Sequence, residues 1–233
     1  MLPIPERIRT LAATAGVARL SVDDAPSPAR GGVDERGRPV LLVRQGEALH
    51  GLRDDAVAAV HLTAMRRLGQ EEHPRGLLEV QGWVQAVPEP EARSAAVAVA
   101  AHDADEALFD ALERYGAPDA PRLLRLDVAQ VVYLTGQESG VLDADEYLDA
   151  EPDPLAETAE RVLAHVNAAH RPQLANGVAR QLGQPAAEVW LWELDRFGAT
   201  VRADGSLIRF PWPAPASTGL SLESALSGLL CTC

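Results

Sequence analysis

The residues of this 233-residue sequence that could do chemistry are six histidines, two cysteines and a set of basic side chains that are all arginine. His165 and His170 stand five apart in His165-Val166-Asn167-Ala168-Ala169-His170. On a continuous helix five residues turn the chain through about 140°. The spacing therefore does not give the two-imidazole metal pair of an i, i+4 motif, and it predicts at most one of the two in any pocket. His170 falls in the last turn before Pro172, where a cation also suits the helix dipole. His61 lies in an apolar segment, for which a hydrogen-bonded core histidine is the ordinary account and a ligand site the sharper one. His50 sits in a loop-to-helix segment that can face a cleft. His73, before Pro74, reads as solvated, and His102, beside Asp103 and Asp105, as surface. Cys231 and Cys233 supply half of a tetrahedral zinc site and are too few for a disulfide framework. The bland account of them is a pair of exposed tail thiols, and the sharper one a soft metal ligand.

Several chemistries are excluded. With 21 basic residues and no lysine, Schiff-base catalysis, a pyridoxal-phosphate lysine and a P-loop lysine are all out. No Gly-x-Ser-x-Gly elbow occurs, and Gly31-Gly32 lacks the spacing and strand-to-helix context of a phosphate loop. Asp103, Asp105 and Glu106, like Asp143, Asp145 and Glu146, read as solvated charge runs. A net charge of -13 argues against nucleic acid as partner. No apolar run approaches the roughly 20 residues of a membrane span, and the first residues lack a signal-peptide pattern, so the cytoplasm is expected. Heavy Ala, Arg and Gly usage without lysine suggests a GC-rich, actinobacterial genome. No residue is assigned a catalytic role.

These residues need elements to position them. Residues 5–15 have helical spacing with Pro5 in the first turn, and Val17–Val22 alternates as a strand. Residues 23–38 read as a long hairpin connection. Strands follow at Pro39–Arg44, Ala56–Leu62, Gly76–Pro88 and Leu123–Leu134, with Leu49–Asp55 as a short helix or turn. In the fourth strand Leu78, Val80 and Val84 form one face and Leu77, Glu79, Gln81 and Trp83 the other, while Gly82 marks a bend or a bulge. Residues 89–115 read as one long helix or two broken near His102-Asp103. The order suits a small, mostly antiparallel barrel with helices over its openings. Residues 135–154 are acidic and turn-rich, and Pro152 and Pro154 forbid regular structure. Beyond them come a helix capped by Asp153, a helix from Pro172 to Leu182, a strand at Val189–Leu194, strands joined by an Asp204-Gly205 hairpin turn, and a last helix capped by Ser221. Trp190, Trp192, Phe197 and Trp212 read as this module's own aromatic core. The expected organisation is a barrel domain over 1–137, a linker over 138–154 and a C-terminal α+β domain over 155–233.

The segments Glu6–Ala15, Val17–Val22, Arg38–Val43, Leu52–Val60 and Gly76–Val84 resemble, in that order, the FMN-binding split barrel of the pyridoxamine-phosphate oxidases and their relatives. His165-Val166-Asn167-x-x-His170, Leu194-Asp195-Arg196-Phe197-Gly198 and the terminal helix resemble the C-terminal domain of HugZ-type heme oxygenases. That domain is shared with the plant glutamyl-tRNA reductase-binding protein. The resemblance implies an α+β fold with an N-terminal split barrel, a homodimer built through the barrels, and ligand sites where barrel, partner and C-terminal domain meet. It implies heme as the ligand. HugZ-type enzymes of pathogens carry a C-terminal histidine on the iron; with no histidine after His170, His50, His61, His165, His170 or Cys231 would have to substitute, with Arg19, Arg44 or Arg53 pairing the propionates. Heme degradation by an oxygenase would be the activity. FMN ranks lower, because Gly46-Glu47-Ala48-Leu49-His50-Gly51-Leu52 puts an acid where a flavin phosphate meets a cation. An FMN or deazaflavin oxidoreductase and a non-catalytic, dimeric partner-binding protein are the two alternatives.

Overall fold

A computed structural model describes residues 1–22, 25–51 and 54–230; Arg53, Cys231 and Cys233 lie outside the described residues. The chain divides into two compact units. One comprises Ile8–Met65 and Pro74–Ala150, the other Met1–Arg7, Arg66–His73 and Glu151–Cys233.

The elements of the first part of the chain are α1 (Ile4–Thr14), β1 (Gly16–Val22), β2 (Ala25–Pro28), β3 (Arg30–Val33), β4 (Pro39–Val43), β5 (Ala56–Leu68), β6 (Glu71–Ala86), α2 (Ala92–Ala100), α3 (Ala107–Glu113), β7 (Arg122–Thr135), β8 (Ser139–Asp143) and α4 (Ala144–Leu148). The strands form one sheet in the order β2-β1-β5-β6-β7-β4-β3, with β8 on β7. This is a split β-barrel. Strand alternation decides what goes inside. Ala58, Val60, Leu62 and Ala64 of β5, Leu78, Val80 and Val84 of β6, and Leu124, Leu126 and Val131 of β7 point inward, against Ile8 and Leu11 of α1 and Tyr147 of α4. At Gln81/Gly82 the β6–β7 register shifts, and a Cβ on Gly82 would lie 1.9 Å from the Asp127 carbonyl oxygen. Of the bend or bulge expected at Gly82, the structure has the bulge, and this close backbone approach is what requires glycine there.

Two stretches differ from expectation. Residues 23–38, read as a hairpin connection, hold β2 and β3. The prolines of β2 are tolerated because it is an edge strand, where a missing N–H breaks no ladder. Gly32 of β3 lets α2 pack directly on the strand, since a Cβ there would meet the Ala98 carbonyl oxygen at 2.1 Å. Within the acidic stretch 135–154, β8 pairs along β7, and α4 starts at a capping box in which Asp143 and Glu146 bond each other's backbone N–H. The acids that suggested a solvated turn are helix-start signals.

The second unit contains α5 (Ala156–Ala169), α6 (Arg171–Leu182), β9 (Val189–Asp195), β10 (Gly198–Ala203), β11 (Ser206–Pro211) and α7 (Gly219–Leu230). Its strands are ordered β11-β10-β9, and Asp204 and Gly205 take the positive φ angles of a hairpin turn. The N-cap position of α5 is Leu155 and not the expected Asp153; Asp153 instead accepts from the Leu155 N–H and, on its other oxygen, from the Arg196 N–H, which ties the turn before α5 to the β9–β10 turn. Helix α7 is capped by Thr218, whose Oγ1 accepts from the Ser221 N–H, while Ser221 Oγ accepts from the Thr218 N–H. The expected cap, Ser221, is the third residue of the helix and the other member of that reciprocal pair. The core is aliphatic, with Leu163, Leu174, Val178, Leu191, Val201, Leu222 and Leu226 at its centre. The expected aromatic core is not formed. Trp190 and Trp192 occupy the opposite face of β9 with Leu68, and Trp212 only borders the aliphatic core.

Candidate functional site

On the barrel's outer face, Arg19 of β1 is the cross-strand partner of His61 of β5. Directly opposed residues share a face. Both therefore line one cavity of about 590 Å³, together with Ser21, Glu79 and the apolar walls Leu77, Val132 and Leu134. The His61 side chain is 39% exposed, so it is not the core histidine that its apolar surroundings suggested. Along β5 it is the even-numbered residues that face the core, which sends position 61 outward. Its Nε2 lies 3.3 Å from Ser21 Oγ, and its Nδ1 lies 3.7 Å from Glu79 Oε2. Glu79 in turn accepts from Gln81 Nε2, and Gln81 Oε1 accepts from Gln130 Nε2 at 2.6 Å. This row of polar groups crosses β1, β5, β6 and β7.

Ser21, His61 and Glu79 have the order of a nucleophile, base and acid. They sit in the middle of strands, though, where backbone N–H groups are committed to the sheet ladder and cannot form an oxyanion hole. The arrangement instead offers one imidazole and one guanidinium beside an apolar wall. One cation and one imidazole beside apolar side chains suit a flat apolar ligand carrying an anionic edge. An imidazole whose second nitrogen faces a carboxylate is also oriented as a metal ligand.

The other expected site residues are dispersed. Arg44 donates to both carboxylate oxygens of Asp105 at 2.5 Å. That hydrogen bond raises the Arg44 pKa and holds the Asp105 carboxyl below the usual range. Arg44 therefore belongs to an ion pair and is absent from the His61 cavity. His50 lines a separate cavity of about 320 Å³, but its Nε2 is within 2.8 Å of the Ala120 carbonyl oxygen and its own carbonyl accepts from Arg122. It holds a loop. His73, expected to be solvated, contacts Arg202 through Nε2 at 3.1 Å and packs against Trp192.

His165 and His170 belong to the second unit, and there the sequence geometry fails. Helix α5 ends at Ala169, and His170 has φ -126° and ψ 20°. The helical angle does not carry across that residue, and the two rings meet with Nε2 atoms 3.1 Å apart. Both line a cavity of about 480 Å³ between α5 and α7.

The motif between them has a structural role that the sequence reading missed. Asn167 Nδ2 donates to the Leu191 carbonyl and its Oδ1 accepts from the Leu191 N–H, each at 2.9 Å. Strand β9 is an edge strand, so this amide occupies backbone groups that no neighbouring strand pairs. Arg171 adds a contact to the Val189 carbonyl and stacks 3.5 Å over Trp190. Likewise Asp195 in Leu194-Asp195-Arg196-Phe197-Gly198 accepts from the Phe197 N–H and from Arg209, which fixes the β9–β10 turn.

No protein-family model and no curated protein matches the chain. Among solved structures, the chain is similar to a heme binding protein from Mycobacterium smegmatis, with 23% identity and a TM-score of 0.64 over 99% of this chain and 97% of that one. It also matches an Agrobacterium tumefaciens protein of unknown function, at 18% identity and a TM-score of 0.41 over 99% and 98%. A third match is an FAD and heme binding protein from Mycobacterium smegmatis, at 19% identity and a TM-score of 0.35 over 59% and 80%. The first likeness is one of fold. The protein is thus an α+β protein built on a split β-barrel.

Proposed function

We propose that the protein binds heme on the outer face of its barrel, with His61 as the iron ligand and Arg19 pairing a propionate. The observation that carries this reading is the cross-strand pairing of Arg19 with His61 on one apolar-walled cavity. The residues fit the group. The cavity volume lies in the range of small-molecule sites, Leu77, Val132 and Leu134 supply apolar contact, and the Ser21 contact to Nε2 is long enough to be exchanged for a metal bond. Glu79 on the Nδ1 side would fix the tautomer that leaves Nε2 free. Support from outside the site is the fold shared with the mycobacterial heme binding protein. Bound heme supplies redox and oxygen chemistry; heme degradation, the activity of HugZ-type enzymes, is the finer reading and needs an open position on the iron.

The same sheet face carries Val57, Met65, Leu77, Trp83 and Leu134, each more than 40% exposed. A homodimer through this face, as in the resembling barrels, would cover them and close the cavity. Absorption spectra of the purified protein during hemin titration, with FMN in parallel, test the proposal. A Soret band that saturates near one heme per chain supports it. Hemin spectra without a protein-bound band, or uptake of FMN instead, would overturn it.

A further inference from the structure

A second ligand site is built from side chains that the heme reading leaves unused. His165 and His170 present their Nε2 atoms to each other across 3.1 Å, with ring centroids 4.9 Å apart and the planes at 71°. Two imidazole nitrogens on one metal ion at bonds of about 2.0–2.1 Å lie roughly 2.9–3.4 Å apart when they are neighbours in an octahedral or tetrahedral shell, and roughly 4 Å apart when they face each other across the ion. The observed separation is that of neighbouring ligands. It is too short for two axial ligands on opposite sides of a heme iron.

From this geometry we infer that His165 and His170 form a two-imidazole clip for a divalent transition-metal ion of borderline softness, such as Zn(II) or Cu(II). Imidazole selects this class over the hard cations Mg(II) and Ca(II). The clip is accessible, since His165 is exposed and His170 partly so, and the cavity they line opens beside Glu223 and Ser227 of α7. Its other charged group, Arg161, donates to Thr158 Oγ1 on its own helix. Among the described residues no cluster of three or more His, Cys, Asp or Glu could hold a metal, so the clip leaves most of the coordination shell open. That describes an exchangeable ion site and not a closed structural zinc. Metal uptake requires a lone pair on each Nε2 turned toward the ion.

The test is calorimetric titration of the full chain with Zn(II). It is run in a Cys231→Ser/Cys233→Ser background so that thiolates do not contribute. One Zn(II) should bind per chain. His165→Ala and His170→Ala should each weaken binding by at least about tenfold, since losing even an outer-shell partner costs that much, whereas His61→Ala should leave it unchanged. Zn(II) should also raise the Tm of the parent and not of the His165→Ala chain. Both histidines are on the surface, so far-UV circular dichroism should show intact folds. Undiminished Zn(II) binding in either His→Ala variant, or no binding in the serine background, would overturn the inference. Because the probe is the metal alone, the result is independent of hemin binding.

Discussion

His61 owes its place on the cavity wall to strand alternation, and that much can be read from Ala56-Val57-Ala58-Ala59-Val60-His61-Leu62 once the even positions are assigned to the core. What cannot be read is its partner. Arg19 is 42 positions away, and the β1–β5 register that sets them opposite each other contains a shift between Val17 and Arg19. The pairing of His165 with His170 was hidden for a different reason: one non-helical residue invalidates the helical angle. Residue-level electrostatics give a prediction unusually free of interference. Burial pushes the Tyr147 phenol up to about 12, against about 10 in an unfolded chain. Between those pH values the folded state holds the proton that the unfolded state has lost. Stability is therefore fully present below pH ~10 and falls as pH rises towards ~12, by on the order of 2–3 kcal/mol. With no lysine and only three tyrosines in the chain, few other groups titrate in that window. Tyr147→Phe should flatten this alkaline slope. It also deletes the hydrogen bond to the Gly37 carbonyl, at a cost of about 1 kcal/mol at neutral pH. Urea unfolding of both chains at pH 8 and pH 11.5 checks the sign and the size.

At the scale of elements, the long strands β5, β6 and β7 and the C-terminal helices were legible because their apolar periods are sustained. The short elements β2, β3, β8 and α4 were not. Prolines and acids there signal turns in isolation, and only the sheet edge and the capping box give them another use. Asn167 shows how a side chain can finish an element. Its amide completes the free edge of β9, so Asn167→Ala should leave the backbone groups of Leu191 unpaired and cost about 2–3 kcal/mol, whereas removing the neighbouring exposed imidazole with His165→Ala should change stability little. Gly32→Ala should drive a methyl group into the Ala98 carbonyl and lift α2 from β3, at about 1–3 kcal/mol. Chemical denaturation of the three variants ranks them directly.

For the whole molecule, the tail segments His165–His170 and Leu194–Gly198 turn out to carry structure: Asn167 fixes an edge and Asp195 fixes a turn. The proposed ligand site therefore rests on positions outside those segments, chiefly Arg19, His61 and Glu79. The proposed dimer follows from the apolar outer face of the barrel. Sedimentation equilibrium should give twice the chain mass, and Val57→Glu with Trp83→Glu, which avoids the cavity walls, should give the monomer mass with unchanged secondary structure. The central claim is that the barrel cavity, and not the His165–His170 cavity, receives the heme iron. Hemin titration of His61→Ala beside His165→Ala/His170→Ala tests it most directly. His61→Ala should lose the Soret band while the double variant keeps both the band and its stoichiometry; a band that survives in His61→Ala and disappears in the double variant would move the iron site to the second unit and overturn the proposal.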